Sequence, residues 1–266
     1  MDKITETEIK QLRDFLDPLV GVQLLLLNLP KEILSAFEPS QIGTIIGAIM
    51  DACIPQISDI LPENKLLSKI GLTKCQGDIG EREGYPDYIH SSGRRVELKL
   101  LYVDPIGVEM KKPPTPREPS ARITQKVTVK NVDPQNDSLL VLAYQLQPSQ
   151  DNLTIFSPTI IDLGLFSMID CVLARDHRLV QSGGKWFGNF ETPCILSRKG
   201  LEKVSEGQPL DSSVYGRKES EGHDYNEDTN FGKLKRIPYE PLQRFLKKHG
   251  ASYSKNGDYP IPWQID

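Results

Sequence analysis

Residues 139–146 read Leu-Leu-Val-Leu-Ala-Tyr-Gln-Leu, an apolar run unbroken until its seventh position. A strand with one wet face alternates apolar and polar residues, because successive side chains point to opposite faces. A run that does not alternate needs cover on both faces, the position of a central strand in a sheet enclosed by helices. The chain is therefore expected to fold as α/β (α+β), with a mixed central β-sheet flanked by helices. At 266 residues, 38% hydrophobic and 26% charged, it has the core-forming capacity of one large domain or two small ones.

Residues 85–103 carry the chemistry. Tyr85-Pro86-Asp87-Tyr88-Ile89-His90 is followed by Ser91-Ser92-Gly93 and then by Arg94-Arg95-Val96-Glu97-Leu98-Lys99-Leu100-Leu101-Tyr102-Val103. Two apolar and aromatic pieces around turn residues predict a β-hairpin. A three-residue hairpin loop ends in a left-handed residue, and Gly93 suits that place. His90 then pairs with Arg94, and counting back sets Asp87 opposite Glu97. Cross-strand partners have Cβ atoms about 5 Å apart on one face. Lys99 shares that face, roughly 7 Å along the strand from Glu97. Two facing carboxylates repel unless a positive charge lies between them, and hard oxygen donors favour Mg²⁺, Mn²⁺ or Ca²⁺. A plain surface hairpin with a Glu–Lys pair is the simpler alternative.

Pro86-Asp87, nine intervening residues, then Glu97-Leu98-Lys99 resembles the PD-(D/E)xK nuclease signature, best known from type II restriction endonucleases. Glu-x-Lys also occurs at Glu8-Ile9-Lys10, Glu63-Asn64-Lys65 and Glu109-Met110-Lys111. Those copies lie in a helical pattern, beside Pro62, and just before Pro113-Pro114, which a central strand excludes. The resemblance implies a Mg²⁺-dependent endonuclease on double-stranded DNA, with Mn²⁺ able to substitute and products bearing 5′-phosphates. It implies Asp87, Glu97 and the main-chain carbonyl of Leu98 as metal ligands and Lys99 as the group beside the attacking water. An upstream acid often supports such a metal site, and Glu81 is the choice here. A symmetric homodimer reading a palindrome is the family expectation. A structure-selective repair or junction nuclease, or a non-catalytic DNA-binding protein, remain as alternatives.

The flanking sequence divides into a helical region (1–74), the α/β core (75–180) and a C-terminal region (181–266) with possible DNA-recognition elements. In the first, Ile9, Leu12, Phe15 and Leu16 recur at helical spacing after Thr5 or Thr7 as N-cap, and Pro18 ends or kinks the helix. Residues 19–29 read as a helix or a buried segment. Further helices are expected at 31–37, at 42–52 (apolar nearly all round and hence buried) and at 64–70. After the core strand, 154–156 predicts a short strand, 159–173 a helix following Pro158, and 239–249 a C-terminal amphipathic helix.

From Lys111 to Lys130 there are six basic residues and one acid. Arg122, Lys126 and Lys130 fall on one face whether 121–132 is helix or strand, giving with Lys111 and Lys112 a basic stripe suited to a phosphate backbone. Arg217, Lys233, Lys235 and Arg236, interspersed with acids, are further candidates for DNA contact. Net charge is −4, which argues against non-specific coating of nucleic acid but not against a local basic cleft. Cys53, Cys75, Cys171 and Cys194 lack zinc-ribbon or redox spacing and read as free thiols of a reducing compartment. With no signal-peptide pattern in 1–10 and no run long enough to span a bilayer, a cytoplasmic protein without membrane contact is expected, and the resemblance to restriction enzymes implies a prokaryotic one.

Overall fold

A computed structural model of the chain describes residues 2–24, 27–53, 70–75, 84–104, 109–111, 121–124, 127–129, 131–149, 151–181, 185–187, 190–194, 206 and 232–251. The chain divides into two compact units. The first holds 1–121, 134–167 and 247–251; the second holds 122–133, 168–246 and 252–266.

In the first unit, α1 (Glu6–Leu16) starts at Thr5, whose hydroxyl accepts the Glu8 N–H while the Glu8 carboxylate accepts the Thr5 N–H. This reciprocal cap satisfies two main-chain donors that helix geometry leaves open. Leu12 and Leu16 turn into the core, and Pro18 converts the chain to a single 3₁₀ turn over Asp17–Leu19. Of the two readings for 19–29, the described residues follow the buried segment: Gln23 bridges to Thr159, and the Leu24 N–H donates to the Pro158 carbonyl at 2.7 Å. The chain then forms β1 (Leu29–Pro30), α2 (Lys31–Leu34) and α3 (Pro39–Cys53).

The sheet has six strands. β2 (Leu72–Lys74), β3 (Tyr88–His90) and β4 (Arg95–Tyr102) form an antiparallel meander. β5 (Asp137–Pro148) runs parallel to β4, in register from Arg95↔Asp137 to Tyr102↔Tyr144. β6 (Ile155–Ser167) returns antiparallel beside β5, and the spatial order is β1-β6-β5-β4-β3-β2. Among the described residues, then, the molecule carries a mixed sheet with helices. β5 occupies its middle as the non-alternating sequence requires, and Leu139 through Tyr144 are buried on both faces. Leu140, Leu142 and Tyr144 join Val96, Leu98, Leu163, Leu165 and the helical residues Leu16, Ile42 and Ile46 in one apolar cluster.

Two expectations change. The segment 159–173 is not one helix: β6 continues to Ser167, and a helix, α4 (Met168–Gln181), begins only there. Pro158 is tolerated inside β6 opposite Leu146, and a bulge near Ala143/Tyr144 absorbs Ile161, which the pairing skips. Helix α3 is not buried all round: Ile42 and Ile46 are buried, but Ile45 is 38% exposed. It lays one face on the sheet, where Gly43 approaches Tyr144 of β5 and Gly47 approaches Leu100 of β4. Residues 64–69 lie outside the described residues.

The second unit includes α4, the hairpin of β7 (Lys185–Phe187) and β8 (Phe190–Cys194), a 3₁₀ turn at Leu234–Arg236, and most of α5 (Glu240–Lys248). Arg175 is fully buried there. It donates to the Thr124 and Val127 carbonyls at 2.8 Å each and to Asp176 at 2.7 Å. The Thr124 carbonyl also accepts the Val127 N–H, and the Asn131 and Val132 N–H groups both donate to the Thr128 carbonyl. The described residues of 121–132 are in neither a helix nor a strand, and Lys126 and Lys130 lie outside the described residues. No described helix is long and apolar enough to cross a membrane.

Candidate active site

The hairpin adopts the register expected from its loop. His90 N–H donates to the Arg94 carbonyl at 2.7 Å, Gly93 N–H to the His90 carbonyl at 2.8 Å, and Gly93 has φ 84°. Tyr88↔Val96 and Ile89↔Arg95 are paired, so Asp87 faces Glu97 one step beyond. β3 ends at this point, and the Asp87 side chain completes the ladder: its Oδ2 accepts the Leu98 N–H at 2.8 Å. The carbonyl of a strand residue points to the same side as its N–H. That of Leu98 therefore lies along the edge of β4 occupied by Asp87. On the outer side, Cys75 N–H donates to the Asp87 carbonyl at 2.9 Å, holding the residue between β2 and β4.

Glu97 is buried, with 6% of its surface exposed. Its Oε1 lies 2.5 Å from Lys99 Nζ, while Oε2 is buried without a hydrogen-bond partner. Burial pushes the carboxyl up to about 7; the Lys99 ammonium pulls it down, the Asp87 charge pushes it up, and the Asp87 N–H favours the ionised form. Repulsion between Asp87 and Glu97 and a buried oxygen without a hydrogen-bond partner are both features that a bound cation would relieve. Among the described residues no three His, Cys, Asp or Glu side chains converge. The donors on offer are two carboxylates and a main-chain carbonyl, a set that suits a hard cation keeping several waters. Glu81 lies outside the described residues.

Sequence reasoning missed the surroundings of this pair. Lys74 Nζ stands 3.9 Å from Asp87 Oδ1 and 4.7 Å from the centre of the Tyr88 ring. Tyr85 donates its hydroxyl to Asp137 Oδ2 at 2.5 Å, and the other oxygen of Asp137 is 3.0 Å from Arg95 Nε. The Arg95 guanidinium sits over the Tyr85 ring at 5.4 Å. No local pattern reveals Asp137, because parallel pairing with a strand some forty residues earlier puts it beside Arg95. No known protein family, characterised protein or solved structure matches this chain.

The candidate DNA contacts are only partly brought together. In the second unit Arg122 pairs with Lys233 as an antiparallel bridge, next to the turn carrying Lys235 and Arg236. Lys111, in the first unit, is exposed and donates its main-chain N–H to the Phe37 carbonyl. Lys112, Lys126, Lys130 and Arg217 lie outside the described residues. Of the stripe read from 111–130, only Lys111 and Arg122 are among the described residues.

Proposed function

We propose that this chain is a Mg²⁺-dependent endodeoxyribonuclease of the PD-(D/E)xK type, cleaving double-stranded DNA in the manner of a type II restriction enzyme. The observation that carries the reading is the convergence of Asp87, buried Glu97 and Lys99 at the open edge of β4, in a mixed sheet flanked by helices. Asp87, Glu97 and the Leu98 carbonyl would hold the cation, which when bound supplies charge neutralisation at the phosphoryl oxygens and a more acidic water. Lys99 is held by Glu97 at the edge of that site, placed to orient the attacking water and stabilise hydroxide as it forms. The basic cluster of Arg122, Lys233, Lys235 and Arg236 is assigned to the phosphate backbone. The reading includes a symmetric dimer on a palindromic site and a prokaryotic cytoplasmic setting.

Incubation of the purified protein with supercoiled plasmid and Mg²⁺ tests it. Discrete fragments that EDTA suppresses are expected. Asp87→Ala and Glu97→Ala should each lower cleavage by at least a hundredfold with unchanged circular dichroism. Smeared or junction-specific products would favour a structure-selective nuclease, and untouched DNA would remove the catalytic assignment.

A further inference from the structure

The reading above leaves a buried side-chain trio unused. Asp137 is 1% exposed, yet sits at the start of β5 with one oxygen on the Tyr85 hydroxyl and the other facing Arg95. Its partner is unlike it: the Arg95 side chain keeps 29% of its surface in solvent. Arg95 is also two residues before Glu97 on the same face of β4, so its guanidinium starts from a point roughly 7 Å from the Glu97 backbone. The guanidinium is ion-paired through Nε with a buried carboxylate, and its carbon sits over the Tyr85 ring. A long cationic side chain ordinarily loses rotamer freedom when it binds an anion, and this one has lost much of it already. An arginine so held matches an oxyanion with two oxygens better than a lysine does.

We propose that Arg95 is a phosphate-binding residue of this site, contacting the backbone of the strand whose bond is cut, and that Asp137 and Tyr85 are positioning residues acting through it. This rests on the nuclease reading. It adds that the site recognises the phosphodiester by a braced guanidinium as well as by the cation. Lys74, beside Asp87, and Lys99, beside Glu97, then leave Arg95 as the cation farthest along β4 toward its first residue. The phosphate it takes is correspondingly the one flanking the reacting group.

The test combines cleavage with binding. Arg95→Gln/Asp137→Asn replaces the ion pair with a neutral pair of similar shape, which avoids a buried unpaired charge. The double variant is expected to keep its circular dichroism and the Mg²⁺-induced rise in melting temperature measured without DNA. It should lose at least tenfold in kcat/KM on plasmid. In a Glu97→Ala background, where DNA stays intact, the slope of log affinity against log salt for a mixed-sequence duplex should fall by about 0.9, one phosphate contact. Asp137→Asn alone, leaving the guanidinium present but unbraced, should lose three- to tenfold, mainly in KM. If the double variant fails to fold, Arg95→Lys, which keeps a charge opposite Asp137, decides by the same kcat/KM criterion. Wild-type kcat/KM and an unchanged salt slope would overturn the proposal and reduce the trio to a tie between β4 and β5. A wild-type protein that cuts no DNA would instead overturn the nuclease reading, and this assignment with it.

Discussion

Glu97 shows how a single residue can be placed against its own solvation preference. A buried carboxylate oxygen without a hydrogen-bond partner costs on the order of 1–3 kcal/mol, and at Glu97, opposite Asp87, a bound cation would recover that cost. Mg²⁺ should therefore stabilise the folded chain. At a hundredfold excess over Kd the gain is about 2.7 kcal/mol, several degrees in Tm by differential scanning calorimetry. Glu97→Gln should abolish the shift, and a wild-type Tm indifferent to Mg²⁺ would remove the metal assignment. His90, at the other end of the hairpin, gives a pH signature. It is 3% exposed, its Nδ1 accepts the Ser92 N–H at 3.2 Å, and Phe15 packs against its ring. Burial lowers its pKa below the usual 6.5, against a smaller opposing effect of the Ile70 carbonyl. The folded ring thus holds a proton less readily than the unfolded one. Stability is fully present above pH 6.5 and declines as pH falls below it. Urea titrations from pH 7.5 to 5 should show that decline, reduced in His90→Gln.

At the scale of elements, legibility followed locality. The register of β3 and β4 could be counted from Ser91-Ser92-Gly93 because a short loop dictates it, and β5 was readable because burial on both faces leaves no polar alternation. The same property concealed β6: Ile160, Ile161, Leu163, Leu165 and Phe166 fit a helix as well as a strand covered on both sides, and Pro158 resembled a helix start. Its identity comes from pairing with β5, which no local window contains. The turns of 121–132 were equally hidden, since buried Arg175, some fifty residues on, satisfies their carbonyls. Helix α3 carries a prediction of opposite signs. A Cβ at Gly43 would meet the buried Tyr144 hydroxyl at 3.1 Å, whereas one at Gly47 would meet only Leu100 Cδ1 at 3.9 Å. Gly47→Ala should stabilise by about 0.5–1 kcal/mol through helix propensity. Gly43→Ala should destabilise by about 1–2 kcal/mol as the helix is pushed off the sheet. Equal effects in urea unfolding would mean that α3 does not approach the sheet closely at Gly43.

Across the molecule, the first unit is drawn from three separated stretches, and Asp162 joins a representative of each. From the middle of β6 its carboxylate meets Lys248 at 2.6 Å and His249 at 2.9 Å, with Arg13 of α1 at 3.8 Å. Burial raises its pKa, but the Lys248 and His249 hydrogen bonds and the Leu163 N–H outweigh that, and the net shift is downward. The folded carboxyl releases its proton more readily than the unfolded one. Its contribution is therefore present above the ordinary value of 3.8 and fades as pH falls through the lower folded value. Asp162→Asn should destabilise by about 1–3 kcal/mol at pH 7, since it removes the charge that the largely buried His249 and the exposed Lys248 both meet. The gap from wild type should narrow towards pH 3. Amide exchange adds a spatial readout: loss of this carboxylate should speed exchange in 247–251 before it affects β5, whose ladder is bonded on both sides. Uniform acceleration throughout the first unit would mean that the C-terminal stretch is held by its apolar contacts, with Asp162 merely adjacent to it.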